Sequence, residues 1–123
     1  MKRLVSGIKP TGELTLGNYI GAIKQFVKLQ DELEDTEFFI FIADLHAITT
    51  PQDKTLLRKR VRDIAAFYIA CGLDPNKVTL FVQSEVQEHA LLGYIMESTV
   101  YIGELERMIQ YKEKKKGQTD GIR

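Results

Sequence analysis

Apolar residues along this chain follow two alternating rhythms. Short unbroken runs are separated by longer stretches with a spacing of three or four, which predicts strands divided by helices. A first short strand is expected over 3–6. Leu16, Ile20, Ile23 and Val27 then keep helical spacing from Gly17 to about Glu34, and the stretch runs out into an acidic connection through Asp31, Glu32, Glu34, Asp35 and Glu37. Residues 38–43 are continuously apolar, which suits a strand covered on both faces. Leu57, Val61, Ile64, Ala65 and Tyr68 predict a helix over 54–71, capped by Gly72 and followed by an Asp74-Pro75 turn. A third strand is expected over 78–82. Ser84 and Gln87 make a capping-box pattern for the next helix, and 103–116 reads as helical again.

Strands separated by helices of this length imply an α/β fold of parallel βαβ units with right-handed crossovers. Three strands make half of a doubly wound sheet, and the polar tail 116–123 does not complete it. The chain is therefore expected to be the first half of a longer domain. In such a sheet the loops leaving the carboxyl ends of the strands share one edge, where ligands bind. Lys9, Thr11, Asp44, His46, Gln83 and Ser84 should meet there. If the second strand continues locally, Asp44 and His46 also point the same way, being two apart.

Composition narrows the class without choosing a function. The chain has 123 residues, of which 44% are hydrophobic, enough for one domain with a core. Seventeen basic and seventeen acidic residues cancel, so bulk charge does not mark a nucleic-acid binder. The single cysteine, Cys71, excludes an internal disulfide and fits a buried position in a protein of the reducing cytoplasm. No apolar run approaches the ~18 residues of a membrane span, and the start of the chain lacks a signal-peptide core.

The loop between the first strand and its helix carries the candidate chemistry. Gly7 and Gly12 have the spacing that opens a Walker A loop, but Glu13-Leu14 stands where lysine and a hydroxyl are needed. The Gly-x-Gly-x-x-Gly dinucleotide fingerprint is absent as well. On spacing alone, an anion site and an ordinary turn both remain open.

A longer pattern separates them. Pro10-Thr11-Gly12-Glu13-Leu14-Thr15-Leu16-Gly17-Asn18-Tyr19 resembles the His-Ile-Gly-His signature of class I aminoacyl-tRNA synthetases, in the Thr-x-Gly-Asn form of the bacterial tryptophan–tRNA ligases. The resemblance continues through Ala43-Asp44-Leu45-His46-Ala47-Ile48-Thr49, Val82-Gln83-Ser84-Glu85-Val86 and Tyr101-Ile102-Gly103-Glu104-Leu105-Glu106-Arg107-Met108. It is nearly chain-long and colinear. The family's Lys-Met-Ser-Lys-Ser-type loop has no counterpart before Arg123.

The resemblance implies a Rossmann-like parallel sheet and ATP-dependent activation of tryptophan with Mg²⁺, followed by transfer to tRNA. It also implies a cytoplasmic homodimer. Thr15 and Asn18 would hydrogen-bond phosphate without adding charge, and Gly17 would let the nucleotide approach the backbone. Lys9, Pro10, Thr11 and Gln110 would line the ATP site, and Lys114 would reach the phosphates. Arg107, Gln110 and Lys114 fall at helical spacing on one face. Val5, Gly7 and His46 would border tryptophan. Two departures stand out: many members carry Gln where this chain has Lys9, and an aromatic where it has Val5. The series Ile95, Met96, Val100, Ile102, Leu105 and Ile109 would pack against the rest of the domain, a second copy, or both. Two rival readings are a tyrosine–tRNA ligase and a nucleotide-binding half-domain without catalysis.

Overall fold

The computed structural model describes residues 2–11, 15–33 and 35–117, with Lys114 and Gly117 described by their backbone alone. The chain divides into two compact units, Met1–Glu85 and Val86–Arg123. In the first, β1 (Lys2–Ile8), β2 (Thr36–Ile42) and β3 (Val78–Val82) form a parallel sheet in the order β1-β2-β3. β1 outruns its expected span because pairing sets its length: Lys2 stands opposite Thr36, and Ile8 opposite Ile42.

Parallel partners in register share a face. Leu4, Ser6 and Ile8 therefore stand with Phe38, Ile40 and Ile42, and these with Val78, Leu80 and Val82. Helices α2 (Lys24–Glu32) and α4 (Lys54–Ala70) cover this face. Ile23, Phe38, Ile40, Ile42, Ile64, Tyr68, Leu73 and Val78 are buried in one cluster. Phe26 joins the two helices to the sheet, with its ring edge-on to Phe38 at 5.8 Å and tilted against Tyr68 at 6.2 Å. Each fully buried side chain of this size stabilises the fold by about 1.5–3 kcal/mol. The opposite face is only partly covered: Phe39 and Phe41 are half-buried and Val5 is 62% exposed. The apolar run of β2 is thus sealed on one side, not both.

The first helical stretch is not a plain α-helix. Leu16–Asn18 (α1) is followed by a π-helical turn, Tyr19–Ile23, before α2 begins. A π turn adds one residue, which rotates everything upstream by ~100° about the axis. Ile23 and Val27 consequently reach the core, whereas Leu16 and Ile20 stay 73% and 53% exposed despite their matching spacing.

A bracket ties α2 to the turn between α4 and β3. Gln30 donates through Nε2 to the Gly72 carbonyl at 2.8 Å and accepts from the Asp74 N–H at 2.9 Å. Gly72, at φ +105°, ends α4 in the left-handed conformation that glycine tolerates. The Asn76 backbone N–H, followed by its side chain, lowers the Asp74 pKa. The hydrogen bond from Lys77 Nζ to Asp31 Oδ1, 2.7 Å, raises that of Lys77.

Beyond β3 lies a single 3-10 turn, Gln83–Glu85, and α5 (Gln87–Thr99) starts after Val86, whose side chain makes no cap. The expected Ser84 cap does not form; the Ser84 N–H instead serves the site below. The second unit continues with α6 (Ile102–Leu105) and α7 (Ile109–Gly117). The single helix expected over 103–116 is broken because the Arg107 and Met108 N–H groups bond three residues back, to Glu104 and Leu105, tightening and ending α6. No described side chain of α5 or α6 is buried, and among the described residues no helix is long and apolar enough to cross a membrane.

Candidate nucleotide and amino-acid site

The sheet's carboxyl edge is laced together by its exits. The Ala43 N–H donates to the Ile8 carbonyl at 2.8 Å, joining the loops after β1 and β2. Asp44 Oδ1 accepts from the Ser84 N–H at 3.0 Å and from the Leu45 N–H at 2.9 Å, joining the exits of β2 and β3. The structure thus brings Asp44 and Ser84 together as topology required. Asp44 is a structural clasp here, with one oxygen committed to two backbone donors.

Asp44 and His46 do not point the same way. β2 stops at Ile42, and Asp44 opens a short helix, α3 (Asp44–Ala47). Two residues along a helix turn the chain by about 200°, so Asp44 is half-buried and His46 exposed. The His46 carbonyl accepts from Thr49 Oγ1 at 2.9 Å, which closes the loop that follows.

The start of α1 is a reciprocal capping box. Thr15 Oγ1 accepts from the Asn18 N–H at 3.3 Å, while Asn18 Oδ1 accepts from the Thr15 N–H at 2.9 Å and from its hydroxyl at 2.8 Å. Among the described residues, the bonds to the Asn18 side chain are made at its oxygen, and the Nδ2 amide is the donor it offers beyond them. The N–H groups of Leu16 and Gly17, first in the helical run, have no carbonyl within the helix to bond. These donors sit at an exposed helix start whose partial charge is positive. Among the described residues, a Cβ added to Gly17 would meet only Thr15 Oγ1, at 3.5 Å, so they leave space over that backbone.

The remaining candidates are distributed as follows. The Lys9 carbonyl accepts from the Thr11 N–H at 2.9 Å, and Lys9 and Thr11 are half-buried. Pro10 is fully buried within the protein. Gly12, Glu13 and Leu14 lie outside the described residues. Val5 and Gly7 share the partly open sheet face, and the Phe41 ring lies across Gly7. A Cβ there would come within 2.5 Å of it. Phe41 in turn stacks at a tilt on Phe81, 5.9 Å away. Gln110 is exposed on α7 and Lys114 follows one turn later; Arg107 lies outside that helix, so the three do not form one helical face. The Lys114 side chain is outside the described set.

Two features were missed by the sequence reading. The Phe41 cover over Gly7 depends on register, which no local pattern reports. The other is a cleft of about 490 Å³ between the amino half of α4 and the exits of β2 and β3, lined by Lys54, Arg58, Arg62, Asp44, Ser84 and Glu85 among others. Its three cations are spaced by four, a signal present in the sequence.

Comparison with known proteins bears on the family and the fold. Residues 1–123 match the family model described as tRNA synthetases class I (W and Y). The Tryptophan--tRNA ligase of Bacillus subtilis (strain 168) is 58% identical over 118 residues, covering 95% of this chain and 35% of the relative. The chain therefore spans about a third of the length of the curated relatives it matches. Among solved structures, tryptophanyl-tRNA synthetase from Mycoplasma pneumoniae superposes with a TM-score of 0.83 at 41% identity, over 94% of this chain and 33% of that one. The Campylobacter jejuni tryptophanyl-tRNA synthetase complexed with ADP and Tryptophane gives 0.84 at 38% identity, over 97% and 37%.

Proposed function

This chain belongs to the tRNA synthetases class I (W and Y), and from that premise we propose that it is the amino-terminal half of the Rossmann-like catalytic domain of a tryptophan–tRNA ligase. The observation that carries the reading is its chain-long identity with tryptophan–tRNA ligases. The open backbone at Gly17 adds a physical reason.

The proposed reaction needs little acid–base chemistry from the protein. The tryptophan carboxylate, ionised at neutral pH, attacks the α-phosphorus of ATP, giving tryptophanyl-adenylate and pyrophosphate. A terminal ribose hydroxyl of tRNA then attacks the acyl carbon, and AMP leaves. Alignment and charge stabilisation are the protein's share. The Leu16 and Gly17 N–H groups and Asn18 Nδ2 would meet phosphate oxygens, with Thr15 holding Asn18 in place. Lys9, Pro10, Thr11 and Gln110 would border the nucleotide, and Lys114 would approach the phosphates as charge moves onto pyrophosphate. Val5, Gly7 and His46 would border tryptophan. Mg²⁺ would accompany ATP as its counter-ion and share in neutralising the phosphates. A cytoplasmic homodimer completes the reading.

ATP–pyrophosphate exchange by the whole protein is the test. Exchange should depend on tryptophan and not respond to tyrosine. Stimulation by tyrosine alone would transfer the reading to a tyrosine–tRNA ligase, and no exchange with either would leave only nucleotide binding.

A further inference from the structure

From the face of α4, and resting on the reading just proposed, we infer that Lys54, Arg58 and Arg62 form a docking strip for the sugar–phosphate backbone of RNA. α4 holds five basic residues, Lys54, Arg58, Lys59, Arg60 and Arg62, against the single acid Asp63, in a chain whose net charge is zero. Lys59 is paired with Asp63 at 2.8 Å. Among the described residues Lys54, Arg58 and Arg62 form no ion pair, and all three are exposed.

The arrangement is unfavourable for the isolated helix. Steps of four place like charges next to one another on the surface, where they repel. Lys54 also occupies the first turn, where a cation opposes the helix dipole. The Asp53 cap supplies one negative charge at that end, and no acidic side chain follows it in the first turn. Like charges kept side by side on one helix are a local conflict of the kind expected at functional sites.

Shape selects the ligand. The three cations are common to two hollows, the 490 Å³ cleft toward Asp44 and Ser84 and a second of about 650 Å³ toward Thr55, Lys59 and Asp63. They therefore form a ridge between concavities, not a cup closing on one phosphate. At ~1.5 Å of rise per residue the row is ~12 Å long with a cation every ~6 Å, a spacing comparable to that of successive phosphates along a strand. Asp44 and Glu85 on the inner wall make that side less welcoming to an anion and favour an approach from the Lys59 side. Contacts of this kind position RNA without reading its sequence.

The double variant R58Q/R62Q in the whole protein tests the strip, with tRNA transcript as the probe. The KM for tRNA in charging should rise tenfold or more, and the slope of log affinity against log salt should fall by about 1.5. Tryptophan-dependent ATP–pyrophosphate exchange should stay within twofold, and R58K/R62K should restore charging. An unchanged tRNA KM and salt slope would overturn the strip, as would loss of exchange alongside charging or competition by poly-L-glutamate as strong as that by RNA. Arginine-dependent tRNA binding by a protein showing no tryptophan-dependent exchange would keep the strip and overturn the enzymatic reading instead.

Discussion

Among the described residues, a methyl group on Gly17 would touch only the Thr15 hydroxyl, and Gly17 does not adopt a positive φ. Neither space nor conformation inside the protein asks for glycine there, and alanine is the better helix former by about 1 kcal/mol. Gly17→Ala should therefore melt at the same temperature or slightly higher, while the KM for ATP in pyrophosphate exchange rises at least tenfold. Normal exchange kinetics in that variant would remove the nucleotide from this position. Tyr68 is the opposite case. It is fully buried and its hydroxyl makes no hydrogen bond among the described residues, and desolvation pushes its pKa up to about 12. The folded state keeps the phenol neutral while the unfolded chain ionises near pH 10. Stability is thus complete below pH 10 and is lost as pH rises toward about 12. Tyr68→Phe should gain about 1 kcal/mol in urea unfolding at pH 8, and its stability should fall less between pH 8 and pH 11 than that of the parent.

At the scale of elements, the clasp between α3 and the turn after β3 rests on one oxygen, Asp44 Oδ1. Asp44→Ala leaves the Leu45 and Ser84 N–H groups without their acceptor and should cost about 1–3 kcal/mol. Asp44→Asn, which keeps an oxygen, should cost less. Equal losses in chemical denaturation would show that charge, not acceptance, holds the two exits together. Much of this architecture was legible beforehand. β3 and the long helix α4 were readable because a run of five β-branched and bulky apolar residues, Val78–Val82, favours a strand and a stripe at helical spacing favours a helix. What could not be read were features decided by contacts remote in sequence. Tyr19–Ile23 contains nothing that announces a π turn. Asp44 and His46 diverge because the strand yields to a helix one residue earlier than an apolar run can show. Ser84 looked like a cap because its partner Asp44 is forty residues away. At the helix start, Thr15 and Asn18 were read for phosphate alone, and the capping box they make with each other was not anticipated although it is wholly local.

Over the whole molecule, balanced charge and scattered apolar exposure conceal strong local asymmetries. Leu91, Tyr94, Ile95 and Met96 on α5 are all at least half exposed. If the proposed homodimer uses this helix, Ile95→Glu should convert the whole protein from dimer to monomer in sedimentation at micromolar concentration, and an unchanged dimer would place the interface elsewhere. The π turn also has a consequence at this scale. Phe26 and Val27 are anchored in the core at one end of the helical rod, and the Thr15–Asn18 box sits at the other. One surplus residue between them fixes the angular phase of that tip, as a shim indexes a shaft. Deleting Gly21, around which no described residue crowds, would reset the rod to ordinary winding. The anchored end would keep its place, and the tip would swing by roughly a quarter turn, leaving a well-folded protein aimed in the wrong direction.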